Sequence, residues 1–263
     1  MKRILCIAMF LAQTTFCEAQ ALGRLAQVSI VDRDSGATLT PRYYHGEYWV
    51  AGRPGARYSI EIRNRLGERL LAVTSVDGVN VVSGATAAWD QAGYVFGPGE
   101  RYEITGWRKS DADVAAFTFT AAPNSYAERT GRPANVGVIG VAVFRERQPE
   151  MTYAPESRRE ARAADAATAK AAPNAPAAQA EGLARSSPSL KLGTGHGERE
   201  YSYVSRTEFA RMQPEPNEVV RIHYDSLENL IAMGIVRQPK PVWPSLNPFP
   251  GSPDLQYVPD PPG

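Results

Sequence analysis

Arg69-Leu70-Leu71-Ala72-Val73-Thr74-Ser75-Val76-Asp77-Gly78-Val79-Asn80-Val81-Val82 is the stretch on which the fold turns. Two β-branched, apolar runs stand on either side of Asp77 and Gly78, residues that tolerate the positive φ angles of a type I′ turn, so the segment reads as a β-hairpin. Working outward, short β-type runs alternate with turn signals over residues 24–148. Residues 25–31 alternate apolar and polar before the Asp34-Ser35-Gly36 turn, and 58–62 alternate again. Residues 94–96 lead into Gly97-Pro98-Gly99, 101–107 read as a strand, and a polar loop at 108–113 precedes another strand over 114–120. Residues 136–144 are apolar on both faces, which suits a central strand. The expected fold is mainly β: an antiparallel β-sandwich over 24–148.

After Met151 the composition changes. Residues 152–189 are rich in Ala, Pro, Ser and charge and nearly devoid of large apolar side chains, so they read as a flexible linker. Residues 190–236 form a small ββα module. Its strands are expected at 201–209 and 218–224 as a hairpin, followed by a helix with Asp225 as N-cap, Glu228 completing a capping box and Gly234 as the stop. Such a module is too small to be stable alone and must pack on the sandwich or a partner. Residues 237–263 are a Pro-rich tail interleaved with Trp243, Phe249 and Tyr257, extended in character.

The first 21 residues read as a secretory signal peptide. Lys2 and Arg3 precede an apolar run over residues 4–12, and Ala19-Gln20-Ala21 offers a cleavage site. That run is far short of the ~20 residues that span a bilayer, so no integral membrane span is expected after cleavage. The expected location is periplasmic or secreted. Both cysteines, Cys6 and Cys17, leave with the signal, which excludes thiol nucleophiles, cysteine-based metal sites and redox centres from the mature chain. Taking Lys2, Arg3 and Glu18 from 29 basic and 28 acidic residues leaves 27 of each. This balance gives no electrostatic reason to expect nucleic acid or an anionic membrane as a partner.

Three histidines, His45, His196 and His223, are dispersed without metal-ligand spacing, and no metal or other cofactor is expected. His196 lies in Gly193-Thr194-Gly195-His196-Gly197, read as a flexible glycine-rich loop at the entry to the module. His223, Asp225 and Ser226 carry the residue types of a triad, but alternation and helix capping account for them, and the sharp turn that would expose a serine nucleophile is missing. The pairs Asp32/Asp34 and Asp111/Asp113 fall in turn-like segments where Asp bonds nearby amides, so no catalytic residue is assigned. Trp107 is expected to pack in the core, Trp89 and Tyr94 lie near strand ends, and Arg108, Lys109 and Arg132, with His196, are the expected contact residues.

The runs Thr74-Ser75-Val76-Asp77-Gly78-Val79-Asn80-Val81-Val82-Ser83-Gly84, Gly106-Trp107-Arg108-Lys109-Ser110, Ser125-Tyr126-Ala127 and Gly137-Val138-Ile139-Gly140 resemble a family of uncharacterised exported bacterial proteins. The likeness covers about residues 52–144 and implies one β-rich domain, without functional residues. The reading that follows is a non-catalytic binding or envelope-associated protein, its partner an envelope protein or polymer. The alternative is an envelope-polymer hydrolase using His196 and nearby acids.

Overall fold

In the computed structural model, which describes residues 21–148 and 190–237, the Asp77-Gly78 turn closes a hairpin as its chemistry requires. Asp77 and Gly78 have φ angles of 52° and 73°, and Val76 pairs with Val79 and Ser75 with Asn80. The expected signal segment before Ala21, the expected linker over 152–189 and the tail from residue 238 lie outside the described residues.

The strands in chain order are β1 (Ala26–Asp32), β2 (Ala37–Thr38), β3 (Arg42–Tyr44), β4 (Glu47–Gly52), β5 (Arg57–Asn64), β6 (Leu70–Val76), β7 (Val79–Asn80), β8 (Tyr94–Phe96), β9 (Arg101–Ile104), β10 (Gly106–Arg108), β11 (Asp113–Ala121), β12 (Val138–Arg145), β13 (Leu192–Tyr201) and β14 (Glu218–Ser226). Two short helices, α1 (Tyr126–Arg129) and α2 (Leu227–Ala232), complete the set. The first sheet runs β10-β11-β5-β1-β2, with β13 also paired to β11 and β9 to β5. The second runs β3-β4-β14-β12-β6-β7, with β8 beside β6. The protein is therefore mainly β, built as two multi-stranded sheets. Every pairing is antiparallel except β4 with β14, which run parallel.

Alternation decides what is buried. Val28 and Ile30 of β1, Ile60 and Ile62 of β5 and Phe117 and Phe119 of β11 point inward from the first sheet; Ile139, Val141 and Val143 of β12 meet them from the second. As expected of a central strand, β12 lies between β14 and β6.

The ββα order of residues 190–236 is present, with its two strands seated one in each sheet and not paired with each other: β13 adds to β11, and β14 lies between β12 and β4. Three local expectations are corrected. The strand expected at 201–209 lies earlier, at β13, and takes in the glycine-rich stretch. Residues 202–217 instead cross to the outer face of the second sheet, where Phe209 packs with Leu71, Val73 and Phe144, and Arg211 lies 4.3 Å from the Phe144 ring centroid.

The strand expected over 101–107 breaks at Thr105, because β9 pairs with β5 and β10 with β11. A Cβ on Gly106 would meet the Ala115 carbonyl at 2.1 Å, so only glycine permits this change of partner. The cap of α2 is Ser226, whose Oγ accepts from Asn229 N at 3.1 Å; the Asp225 carboxylate is occupied elsewhere. Gly234, with φ 75°, ends the helix as expected, and Ile235 N bonds Leu230 O at 2.9 Å.

Candidate functional site

The outward N–H groups of β13 explain how its first half is held. Leu192 N donates to Asp225 Oδ1 at 3.1 Å and Thr194 N to Asp77 Oδ2 at 2.8 Å. Two carboxylates thus stand where a neighbouring strand's carbonyls would be. Asp77, fully buried, also accepts from Gly137 N at 2.8 Å and from Tyr224 Oη at 2.5 Å. Tyr224 Oη lies 2.6 Å from Thr194 Oγ1, which lies 2.6 Å from Tyr58 Oη.

A carboxylate can only accept, so the Tyr224 hydrogen goes to Asp77, that of Thr194 to Tyr224, and that of Tyr58 to Thr194. This directed chain crosses from the second sheet to the first through the core. Burial raises the pKa of Asp77 against the pull of its three donors, and burial together with the Asp77 charge raises both tyrosines well above their usual range. All four side chains are fully buried, which makes the chain a structural pin with no route for substrate.

Beyond Gly195 the same strand emerges. Phe117 pairs with His196 but Ala115 pairs with Arg199, so two residues of β13, Gly197 and Glu198, oppose Ala116 alone. This bulge re-aims the side chains that follow it. Cross-strand partners share a face, so His196 and Arg199 stand on the face that carries Phe117 and Ala115. Glu200 instead reaches Arg33 at 2.8 Å and Arg57 at 3.5 Å. The bulge therefore sorts charge, and the cations gather beside α1.

Tyr126 stands beside both His196 and Arg132. Its ring lies 4.9 Å from Trp107 and 6.0 Å from His196, and the Arg132 guanidinium is 5.8 Å from its centroid. Partial desolvation, then the positive fields of Lys109, Arg199 and Arg129, lower the His196 pKa. Among the described residues none of Lys109, Arg129, Arg132 and Arg199 has an acidic partner. Arg132 donates to Gly84 O at 2.9 Å and to Thr130 Oγ1, which holds its guanidinium over Tyr126. Cations, an imidazole whose pKa is lowered and an aromatic face are together groups with the chemistry to hold an anion.

Three of the four expected contact residues, Lys109, Arg132 and His196, thus come together. Arg108 does not join them, since it bonds Tyr94 Oη at 3.0 Å and the Ser202 carbonyl. His196 is exposed and lies in a strand, not the flexible loop expected, because Gly193 and Gly197 are there for close approach. A Cβ on Gly193 would meet Ser125 Cβ at 2.6 Å, and one on Gly197 the Ala116 carbonyl at 2.8 Å. Arg129, Arg199 and Tyr126 were not singled out from sequence. Their spacing shows no cluster until the bulge and α1 bring them together.

The other candidates are structural where they are found. Asp32 caps the first turn by accepting from Asp34 N and Ser35 N and pairs with Arg53 at 3.2 Å, Asp34 pairs with Arg57 at 3.1 Å, and Asp113 accepts from Ser110 Oγ at 2.9 Å. Asp225 holds Leu192, Ser226 and Asn229. Surface cavities of about 560 Å³ at Glu68, Arg69 and Arg145 and about 300 Å³ at Arg33, Glu61 and Arg101 do not contain His196. Among the described residues no group of three or more His, Asp or Glu is placed to hold a metal ion, and no helix is long and apolar enough to cross a membrane. Comparison of the chain with protein-family models, curated proteins and solved structures finds no match in any of the three.

Proposed function

We propose that the protein is an exported, non-catalytic binding protein of the cell envelope, and that the cationic patch around Tyr126 is its contact surface for phosphate or carboxylate groups of an envelope polymer. The observation that carries this reading is that Lys109, Arg199 and Arg129 act on His196 while Arg132 lies over the neighbouring Tyr126 ring, none of the four with an acidic partner among the described residues. A surface that only needed solubility would intersperse the two signs. Against the hydrolase alternative, burial lowers the His196 pKa first and the charged groups that lower it further are all basic, while Glu200 is engaged with Arg33 and Arg57. Among the described residues no carboxylate pairs with the His196 imidazole to work as acid or base.

The test is calorimetric titration with inorganic polyphosphate and with polygalacturonate, neutral dextran serving as control. The wild type should bind both anions with an affinity that falls as salt rises. The double variant Lys109→Ala/Arg199→Ala should lose at least about tenfold in affinity for polyphosphate, the scale of one charge-assisted hydrogen bond. Equal binding by the two proteins would remove the patch from the account.

A further inference from the structure

A second array, on the outer face of the second sheet, is built from different residues and does not depend on the Tyr126 patch. The β3–β4 hairpin turns tightly at His45 and Gly46, with φ angles of 47° and 87°. Val50 of β4 and Ile222 and Tyr224 of β14 point into the core, so the alternate residues Glu47, Trp49, Arg221 and His223 face outward. Trp49 stacks on His223 with ring centroids 4.7 Å apart and 25° between planes. Glu47 lies 3.5 Å from His223 Nε2 through one oxygen and 3.3 Å from Arg221 Nη1 through the other. Arg42 stands opposite Trp49 across the hairpin and has no acidic partner among the described residues. On the other side Arg221 pairs with Gly140, which leaves no side chain beside it on β12.

Hydrogen-bonding capacity is in surplus here. A carboxylate offers about four acceptor sites and a guanidinium five N–H donors, and this pair spends few of them on the protein. Glu47 and Arg221 keep 38% and 59% of their side chains exposed, so the remainder is presented to solvent. An indole held rigid beside outward donors and acceptors matches a pyranose, whose C–H face is apolar and whose hydroxyls radiate from its rim. Two arginines against one glutamate add a net positive charge, which favours a sugar that carries a carboxylate. An apolar protein partner would want the charged groups away from the centre of contact.

We propose that Trp49, Glu47, Arg221 and Arg42 form a binding site for an acidic hexopyranose glycan on the outer face of the second sheet. The probe is a galacturonic acid hexamer, followed by tryptophan fluorescence and calorimetry on the full chain, with chitohexaose as the neutral counterpart. Saturable binding of the acidic hexamer is expected, weakened at least about tenfold in Trp49→Ala and in Glu47→Gln and less in Arg42→Ala. Glu47→Gln and Arg42→Ala alter exposed side chains, so they report on the site even if Trp49→Ala unfolds. Because the same hexamer carries charge that the Tyr126 patch could hold, the titration is repeated in Lys109→Ala/Arg199→Ala, where binding at Trp49 should persist. Unchanged affinity in both Trp49→Ala and Glu47→Gln, loss of all binding in Lys109→Ala/Arg199→Ala, or binding of chitohexaose but not of the acidic hexamer would each overturn the proposal.

Discussion

From Leu192 to Gly195 every residue of β13 is buried, whereas from His196 to Tyr201 the same strand is exposed or half-buried. The first half is fastened by the carboxylates of Asp77 and Asp225 and by the hydroxyl chain through Thr194. The second half passes a bulge and presents cations. One strand therefore does two jobs, and the change falls where β13 leaves the shelter of the second sheet. Rigidity in the first half positions the second, because a contact surface is only as well placed as the backbone beneath it.

The most forceful way to break this division is Asp77→Ala. It would leave Gly137 N, Thr194 N and Tyr224 Oη without an acceptor in the core, and a loss of about 3–5 kcal/mol is expected by chemical denaturation. Asp77→Asn keeps an oxygen and tolerates the positive φ, so it should cost less. It also isolates the charge. The Asp77 pKa is raised in the folded state, so the native chain binds its proton more readily than the unfolded chain. Stability from this group is then present at low pH and is lost as pH rises through the folded value. The gap between wild type and Asp77→Asn should accordingly widen as pH is lowered from neutrality toward the usual Asp range.

Gly193→Ala comes next, at about 1–3 kcal/mol, because its Cβ would press on Ser125 and Val136. Tyr58→Phe removes only the far end of the hydroxyl chain and should cost about 1 kcal/mol. In the exposed half the same measurements should be nearly silent. Lys109→Ala and Arg199→Ala are expected to change stability by no more than about 0.5 kcal/mol while weakening anion binding. The smallest effect concerns His196. Its pKa is lowered, so the ring is neutral at pH 7 and gains charge only below the ordinary histidine value of about 6.5. Anion affinity should rise modestly below that value, and His196→Gln should abolish the rise.

Much of the fold was legible from local pattern. The Asp77-Gly78 turn, the alternation of β1 and β5, and the apolar run of β12 each carry their information within a few residues. The misreadings share a cause, which is that the deciding partner is remote in sequence. Gly193 and Gly197 look like loop glycines until Ser125, Val136 and Ala116 are seen against them. Asp225 fits a helix cap by spacing, yet Leu192 N takes its oxygen across 33 residues. The parallel pairing of β4 with β14 joins segments on either side of the 149–189 stretch, and no periodicity within either strand announces it.

The residues of the Tyr126 patch were half legible for the same reason. Lys109, Arg132 and His196 stand out by type. Arg199 joins them through a one-residue bulge, and Arg129 and Tyr126 through the seating of α1 against β13.

The division of β13 is tested most directly by titrating inorganic polyphosphate into isotope-labelled protein and following backbone and side-chain resonances. Shifts should concentrate at His196, Arg199, Lys109, Arg129 and Tyr126, leaving Leu192 to Gly195 and the Asp77 hairpin unmoved. Shifts centred on Asp77, Thr194 and Tyr224, or none at the Tyr126 patch, would contradict the account.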